Sequence, residues 1–365
     1  MTQAPTVVLA GGGTAGHINP MLAIARALQE REPGVGIVTV GTENSMEARM
    51  VPAAGYEMRF IPKVPFPRRP TLDALTFPGR FRNSIKQAER ILNETEAQVL
   101  VGVGGYVCTP MYLAAYRLGV PVIIHEANAK PGLANRVGAT KAALVATAFP
   151  NTPIKGARTV GMPMRQNIAT LNRAAEQAGA RERLGLDPDL PTLVVTGGSL
   201  GALSLNRTVA EIIDEIALAG YQLLHITGRE KALKDDTGQP RTAPGYHQVE
   251  FITSMEDVYA AADLMVVRSG AATVSEVAAV GLPAIFVPLP IGNGEQALNA
   301  RSLVESGAGL LVDDSEFTAS WFRATVPGLL ADPEKLADMA DKSYRHGIRD
   351  AAEVMADEVL KAVRA

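Results

Sequence analysis

With 365 residues the chain is too long for one ordinary core and reads as about two domains of roughly 150 to 200 residues each. Its 47% hydrophobic and 20% charged composition excludes a disordered chain, and no apolar run approaches the ~18 residues of a membrane span. The single Cys108 excludes an internal disulfide, and five scattered histidines without a C-x-x-C leave no closed metal site. Met1 to Gly13 has no basic segment ahead of its apolar run, so a cytoplasmic location is expected. The net charge of −3 is unevenly spread. Residues 1–163 hold 17 Lys and Arg against 10 Asp and Glu, leaving 18 against 28 in the remainder. The first half therefore suits an anionic membrane or nucleic acid, or is an unevenly solvated surface.

The chain opens with a strand-like run, Thr6 to Ala10, a glycine loop and a helical pattern after Pro20, in the stretch "TVVLAGGGTAGHINP". Gly11, Gly13 and Gly16 satisfy G-x-G-x-x-G, but a dinucleotide site also wants an acid at the end of the second strand. That strand, "GIVTVG", ends at Gly41, with Glu43 two residues on and no companion in place. His17, directly after the loop, is either a proton acceptor at the rim of a cleft or a helix-cap or loop hydrogen-bonder.

Residues 61–86 mix Leu72, Leu75, Phe77 and Phe81 with Lys63, Arg68, Arg69, Arg80, Arg82 and Lys86, a composition suited to reversible contact with an anionic membrane or to an ordinary packed helix. The strands "QVLVGVGG" and "VPVIIHE" follow. Each is succeeded by a polar loop, the first with Tyr106, the second with His125, Glu126 and Asn128. Near residue 190 the plan restarts: "TLVVTGGSLGALSLNRTV" is again strand, glycine loop and helix.

"YQLLHITG", "QVEFIT", "DLMVVRS" and "PAIFVPLP" complete a βαβ alternation. Two doubly wound parallel-sheet domains are expected, ligands lying beyond the carboxyl ends of the strands. There Gly197-Gly198-Ser199 suits a diphosphate, unless Ser199 only caps its helix. Glu276 suits ribose hydroxyls, or closes a capping box with Thr273. Gln296 and Asn299 suit sugar hydroxyls or a polar helix start. Asp187-Pro188-Asp189 mimics a D-x-D metal motif but precedes its strand, at the wrong end, and reads as a turn.

The ordered set "GGGTAGHINP", "GGYVCTP", "HEANAKPGLANR", "GGSLGA" and "RSGAATVSEVAAVGLPAIFVPLP" resembles the MurG family, the undecaprenyl-diphospho-muramoyl-pentapeptide N-acetylglucosaminyltransferases of peptidoglycan synthesis, over nearly the whole chain. The stretch "PLPIGNGEQALNA" is closest to actinobacterial members. The resemblance implies a GT-B fold, two Rossmann-like domains facing across a cleft. Residues 1–163, joined by 349–365, would form the acceptor and membrane-facing domain, and residues 164–348 the UDP-sugar domain. It implies inverting transfer of N-acetylglucosamine from UDP-N-acetylglucosamine to the muramoyl 4-hydroxyl of lipid I, giving lipid II. Peripheral attachment to the cytoplasmic face of the cell membrane and other cell-wall enzymes as partners are implied, with no cofactor, metal or nucleic acid.

Carried onto this sequence, the donor positions are Thr14, Ala15, Gly16, Asn128, Arg165, Ser199, Ile252, Ala271, Ala272, Thr273, Val274, Ser275, Glu276 and Gln296. His17 is the expected base, with Glu126 its competitor or the group that orients and charges it. Tyr106 and Asn128 are expected to position sugars or acceptor. Ala15 stands where the family usually has glycine, Met162 where asparagine is common, and Leu200 where glutamine is.

Overall fold

The computed structural model describes residues 5–67, 72–198, 201–291 and 293–364. It divides into two compact units, Met1–Arg165 with Arg349–Ala365, and Gln166–Ile348. Unit 1 carries strands β1 (Thr6–Ala10), β2 (Gly36–Gly41), β3 (Glu57–Phe60), β4 (Val99–Gly102), β5 (Val122–Glu126), β6 (Leu144–Thr147) and β7 (Arg158–Thr159). Unit 2 carries β8 (Thr192–Thr196), β9 (Gln222–Ile226), β10 (Tyr246–Val249), β11 (Leu264–Val267), β12 (Ala284–Phe286) and β13 (Gly309–Leu311).

Every pairing is parallel, in the orders β3-β2-β1-β4-β5-β6-β7 and β10-β9-β8-β11-β12-β13. Chain direction across each sheet reverses between β1 and β4 and between β8 and β11. In an open parallel sheet that reversal parts the flanking loops and opens a crevice at the strands' carboxyl ends. The glycine loops leave the strands at these two places.

Alternation along the strands divides the unit 1 core between the sheet's two faces. Val7 and Leu9 join Ile24 and Leu28, while Val8 joins Leu100, Met111 and Tyr112. Helix Ala351–Arg364 completes the first face with Met355, Val359 and Leu360, and Arg31–Asp357 at 3.1 Å and Arg158–Glu358 at 3.2 Å flank it. Burial of each of those three side chains stabilises the unit by about 1.5–3 kcal/mol. Unit 2 buries Leu193, Val195, Leu205, Val209 and Phe322 together.

The first helix differs from the sequence expectation. It runs Ala15–Arg31, with Pro20 inside it, so His17 is a first-turn helical residue rather than part of a loop. Proline lacks the N–H that would bond four residues back, and the Gly16 carbonyl goes without its helical donor.

Candidate active site

Thr14 is extended (φ −145°, ψ 158°) ahead of the first helix, and its carbonyl accepts the His17 and Ile18 N–H groups. Ala15 and Gly16 are half-buried in the first turn, where backbone N–H groups have no intrahelical acceptor. His17 Nδ1 lies 3.0 Å from the Gly12 carbonyl oxygen. A carbonyl only accepts, so the neutral ring carries its proton on Nδ1 and keeps a lone pair on Nε2. The two sequence alternatives for His17 are thus compatible, one nitrogen serving each. The ring lies against Gly104, where any Cβ would come within 2.9 Å of Nε2.

The Gly12 peptide is fixed by a residue that the sequence reading passed over. Glu47, only 1% exposed, accepts the Gly13 N–H at 3.0 Å through Oε2, and the Thr42 N–H and hydroxyl at 3.2 and 2.9 Å through Oε1. Burial alone pushes its carboxyl up, but hydrogen bonds from Gly13, its own N–H, Thr42 and Ser45 outweigh that and hold it below the usual value. An acid after β2 does exist, therefore, but protein donors occupy it. The one available signal was its position in the first turn of helix Glu47–Ala53, just after β2.

Glu126 is placed differently from the expectation that it orients His17. Among the described residues no hydrogen bond joins the two. The Glu126 carboxylate is 2% exposed and accepts the Asn128 N–H at 2.9 Å, the Gly132 N–H at 3.0 Å and the Asn135 side-chain amide at 2.9 Å. It organises the loop that presents Asn128, which is half-buried. Tyr106 is 45% exposed, with the Lys63 ammonium 5.7 Å from its ring centroid. Arg165 is half-buried at the end of unit 1, close after the buried Met162.

In unit 2, Ser199 and Leu200 lie outside the described residues. Helix Leu203–Ala210 takes Ala202 as its N-cap. Helix Ala271–Ala279 starts after its N-cap Gly270, three residues past the end of β11, which puts Thr273 inside the helix and removes the capping-box alternative. Glu276 instead accepts the Tyr259 hydroxyl at 2.6 Å. Not all of Ala271 to Glu276 faces outward: Ala271 and Val274 are buried, whereas Ala272, Thr273, Ser275 and Glu276 are half-buried. The two buried side chains face the core, so only backbone at those positions is suited to a ligand.

Gln296 accepts the Leu289 N–H at 2.9 Å, leaving its amide N–H groups as donors. Asn299 is fully buried and holds the Ser269 carbonyl at 3.3 Å, a structural tie rather than a sugar contact. Ile252 is half-buried between β10 and helix Met255–Ala261. A further residue without a sequence assignment is Arg268. Buried after β11, it reaches the Val287 and Pro288 carbonyls, the Ser204 hydroxyl and, at 2.5 Å, Asp314. It ties the loops after β11 and β12 to the start of helix Leu203–Ala210. Asp187 turns back to accept the Asp189 N–H at 2.9 Å, the geometry of a turn.

Away from these loops, helix Leu72–Glu94 carries Leu75, 79% exposed. Phe66, Phe77 and Phe81 cluster with ring centroids 5.0–5.7 Å apart. Beside them a groove of about 740 Å³ is lined by Phe77, Phe81, Ile85 and Leu113 together with Arg82, Lys86 and Arg117. Arg68 and Arg69 lie outside the described residues, as does the Leu72 side chain. No helix among the described residues is long and apolar enough to cross a membrane.

Residues 7–147 match the glycosyltransferase family 28 N-terminal domain and residues 192–355 its C-terminal domain. The UDP-N-acetylglucosamine–N-acetylmuramyl-(pentapeptide) pyrophosphoryl-undecaprenol N-acetylglucosamine transferase of Paenarthrobacter aurescens is 58% identical over 360 residues, covering 99% of this chain and 97% of its own. The relative of that name from Streptomyces coelicolor is 50% identical over 359 residues, 98% of each chain. The crystal structure of Acinetobacter baumannii MurG superposes with a TM-score of 0.80 at 28% identity, over 98% of this chain and 99% of that one. A UDP-N-acetylglucosamine 2-epimerase shares the fold alone, with a TM-score of 0.69 at 14% identity over 99% of this chain and 96% of its own. The chain therefore belongs to glycosyltransferase family 28, with the GT-B fold, and within it to the MurG family of N-acetylglucosaminyltransferases.

Proposed function

We propose that this chain is an inverting glycosyltransferase that moves N-acetylglucosamine from UDP-N-acetylglucosamine to the muramoyl 4-hydroxyl of lipid I, forming lipid II for peptidoglycan. The observation that carries the chemistry is the His17 ring, whose Nδ1–H is committed to the Gly12 carbonyl while Nε2 keeps its lone pair. Nε2 takes the proton of the acceptor hydroxyl as that oxygen attacks the anomeric carbon. The bond from that carbon to UDP breaks on the opposite side, so one displacement inverts the centre and the imidazolium holds the proton.

Negative charge then builds on the departing diphosphate. Arg165, the N–H groups of the glycine loop around Ser199 and those at the start of helix Ala271–Ala279 are suited to bind it. The Glu276 carboxylate grips the ribose, the backbone at Ile252 reads uracil, and the Gln296 amide donates to the sugar. Thr14, Ala15, Gly16 and Asn128 are suited to donor contacts, and Tyr106 to positioning the acceptor. Glu126 serves by shaping the Asn128 loop.

Lipid I is anchored in a bilayer, and the exposed Leu75 with Phe66, Phe77, Phe81, Arg82 and Lys86 supports peripheral docking on the cytoplasmic face of the cell membrane. The test is transfer of labelled sugar from UDP-N-acetylglucosamine, with and without a lipid I analogue, in EDTA. Label in the acceptor is expected. Label retained on the nucleotide despite tight donor binding would favour epimerase chemistry. His17→Ala is expected to lower turnover ~10²-fold or more while the fold persists, and near-normal turnover would remove His17 as the base.

A further inference from the structure

We propose that Glu47 is the orienting and charging carboxylate of His17, acting on it through the single peptide unit that joins Gly12 to Gly13. The N–H and C=O of one peptide are involved, not two separate contacts. The Gly13 N–H points at Glu47 Oε2, 3.0 Å away, and the Gly12 C=O of the same amide accepts the His17 Nδ1–H, also at 3.0 Å. An amide is conjugated, so an anion at its N–H drives electron density onto its oxygen. The Gly12 oxygen thereby becomes a stronger acceptor, holds the ring in the Nδ1–H tautomer and stabilises the imidazolium that forms when Nε2 takes a proton. A carboxylate bonded directly to a catalytic histidine does the same work over a shorter path.

Three features make this a built arrangement. Both Glu47 oxygens receive backbone N–H donors, from Gly13 and Thr42, which favours the ionised form. Glu47 and Gly105 approach this peptide closely enough that Gly12 and Gly105 must both be glycine. A Cβ on Gly12 would meet Glu47 Oε1 at 2.4 Å, and one on Gly105 would meet the Gly12 oxygen at 2.5 Å. Finally, the other candidate, Glu126, is committed to Asn128, Gly132 and Asn135. Glu47 is a positioning residue in this scheme, since it touches no reacting atom.

The inference rests on the reading of His17 as the base, and its test separates the two. In the wild-type protein, ¹⁵N spectra of the His17 imidazole should report the Nδ1–H tautomer; an Nε2–H ring would overturn the relay whether or not any variant folds. Glu47→Gln should lower kcat for N-acetylglucosamine transfer ~10-fold or more, with KM for UDP-N-acetylglucosamine within about twofold. On a His17→Ala background the same change should cost less than about twofold, because a relay with no imidazole at its end has nothing to charge. Full multiplication of the two losses would make Glu47 independent of His17 and overturn the proposal. An active His17→Ala enzyme would overturn the base reading itself.

Discussion

The Glu126 carboxylate and the Asn135 amide meet at 2.9 Å with each residue only 2% exposed, and Asn135 in turn accepts the Tyr112 hydroxyl at 2.7 Å. Three buried polar groups from separate elements thus form one closed set with the Asn128 and Gly132 N–H groups. Glu126→Ala would strand several buried donors at once and is expected to destabilise unit 1 by about 2–4 kcal/mol, read as a lower urea midpoint. An unchanged midpoint together with abolished turnover would instead mark Glu126 as chemically active.

Tyr259 would act at one remove on the ribose contact proposed for Glu276. Its hydroxyl donates to Glu276 at 2.6 Å, fixing the carboxylate proposed to hold the sugar of the nucleotide. Tyr259→Phe is expected to raise KM for UDP-N-acetylglucosamine by ~3- to 10-fold, the worth of one ordinary hydrogen bond, with kcat within about twofold. Steady-state kinetics distinguish this from a loss in kcat alone, which would detach Glu276 from donor binding.

Acid sensitivity follows from two buried histidines. Burial pushes His125 down to about 4, against a weaker upward pull from its bond to the Gly161 carbonyl, and burial pushes His225 down to about 3, both from 6.5. Below pH 6.5 the unfolded chain gains protons that the folded chain refuses. The stability is therefore fully present above pH 6.5 and declines as pH falls towards the folded values. Each histidine is expected to cost about 2 kcal/mol between pH 7 and pH 5. Urea titrations at the two pH values check this, and His225→Gln should flatten the dependence of unit 2.

Membrane docking by helix Leu72–Glu94 predicts a charge-dependent partition. The wild-type protein should sediment with anionic vesicles and weakly with neutral ones. Arg82→Ala with Lys86→Ala should reduce the anionic binding ~10-fold or more, and Leu75→Asp should weaken both. Equal binding to neutral and anionic vesicles would remove the electrostatic part of the reading.

The central strands were legible because β1, β4, β5, β8, β9, β11 and β12 are apolar runs emptying into glycine or polar loops. β3, β6, β7 and β13 were not. β3 is largely exposed at a sheet edge and β7 and β13 have two and three residues, too few for a periodicity. The third expected run of unit 2, "QVEFIT", is displaced, the strand being Tyr246–Val249.

At the site, His17 stood out by its place after a glycine loop, although its tautomer depends on a carbonyl five residues back. Glu47 could not be read in this way. Its partner Gly13 is 34 residues distant, and only the pairing of β1 with β2 brings them together. Ala271 to Glu276 read as one contact stretch, yet the helical period turns Ala271 and Val274 inward.

The helix Ala351–Arg364 bears on how the protein is made. It supplies Met355, Val359 and Leu360 to a face of unit 1 whose other residues have already left the ribosome. Translation of residues 166–348 takes roughly 10–40 s at about 5–20 residues per second. For that interval the face holding Ile24 and Leu28 lacks the side chains that complete it. The unit begun first is finished last, so a ribosome stalled within unit 2 leaves unit 1 with that face uncovered.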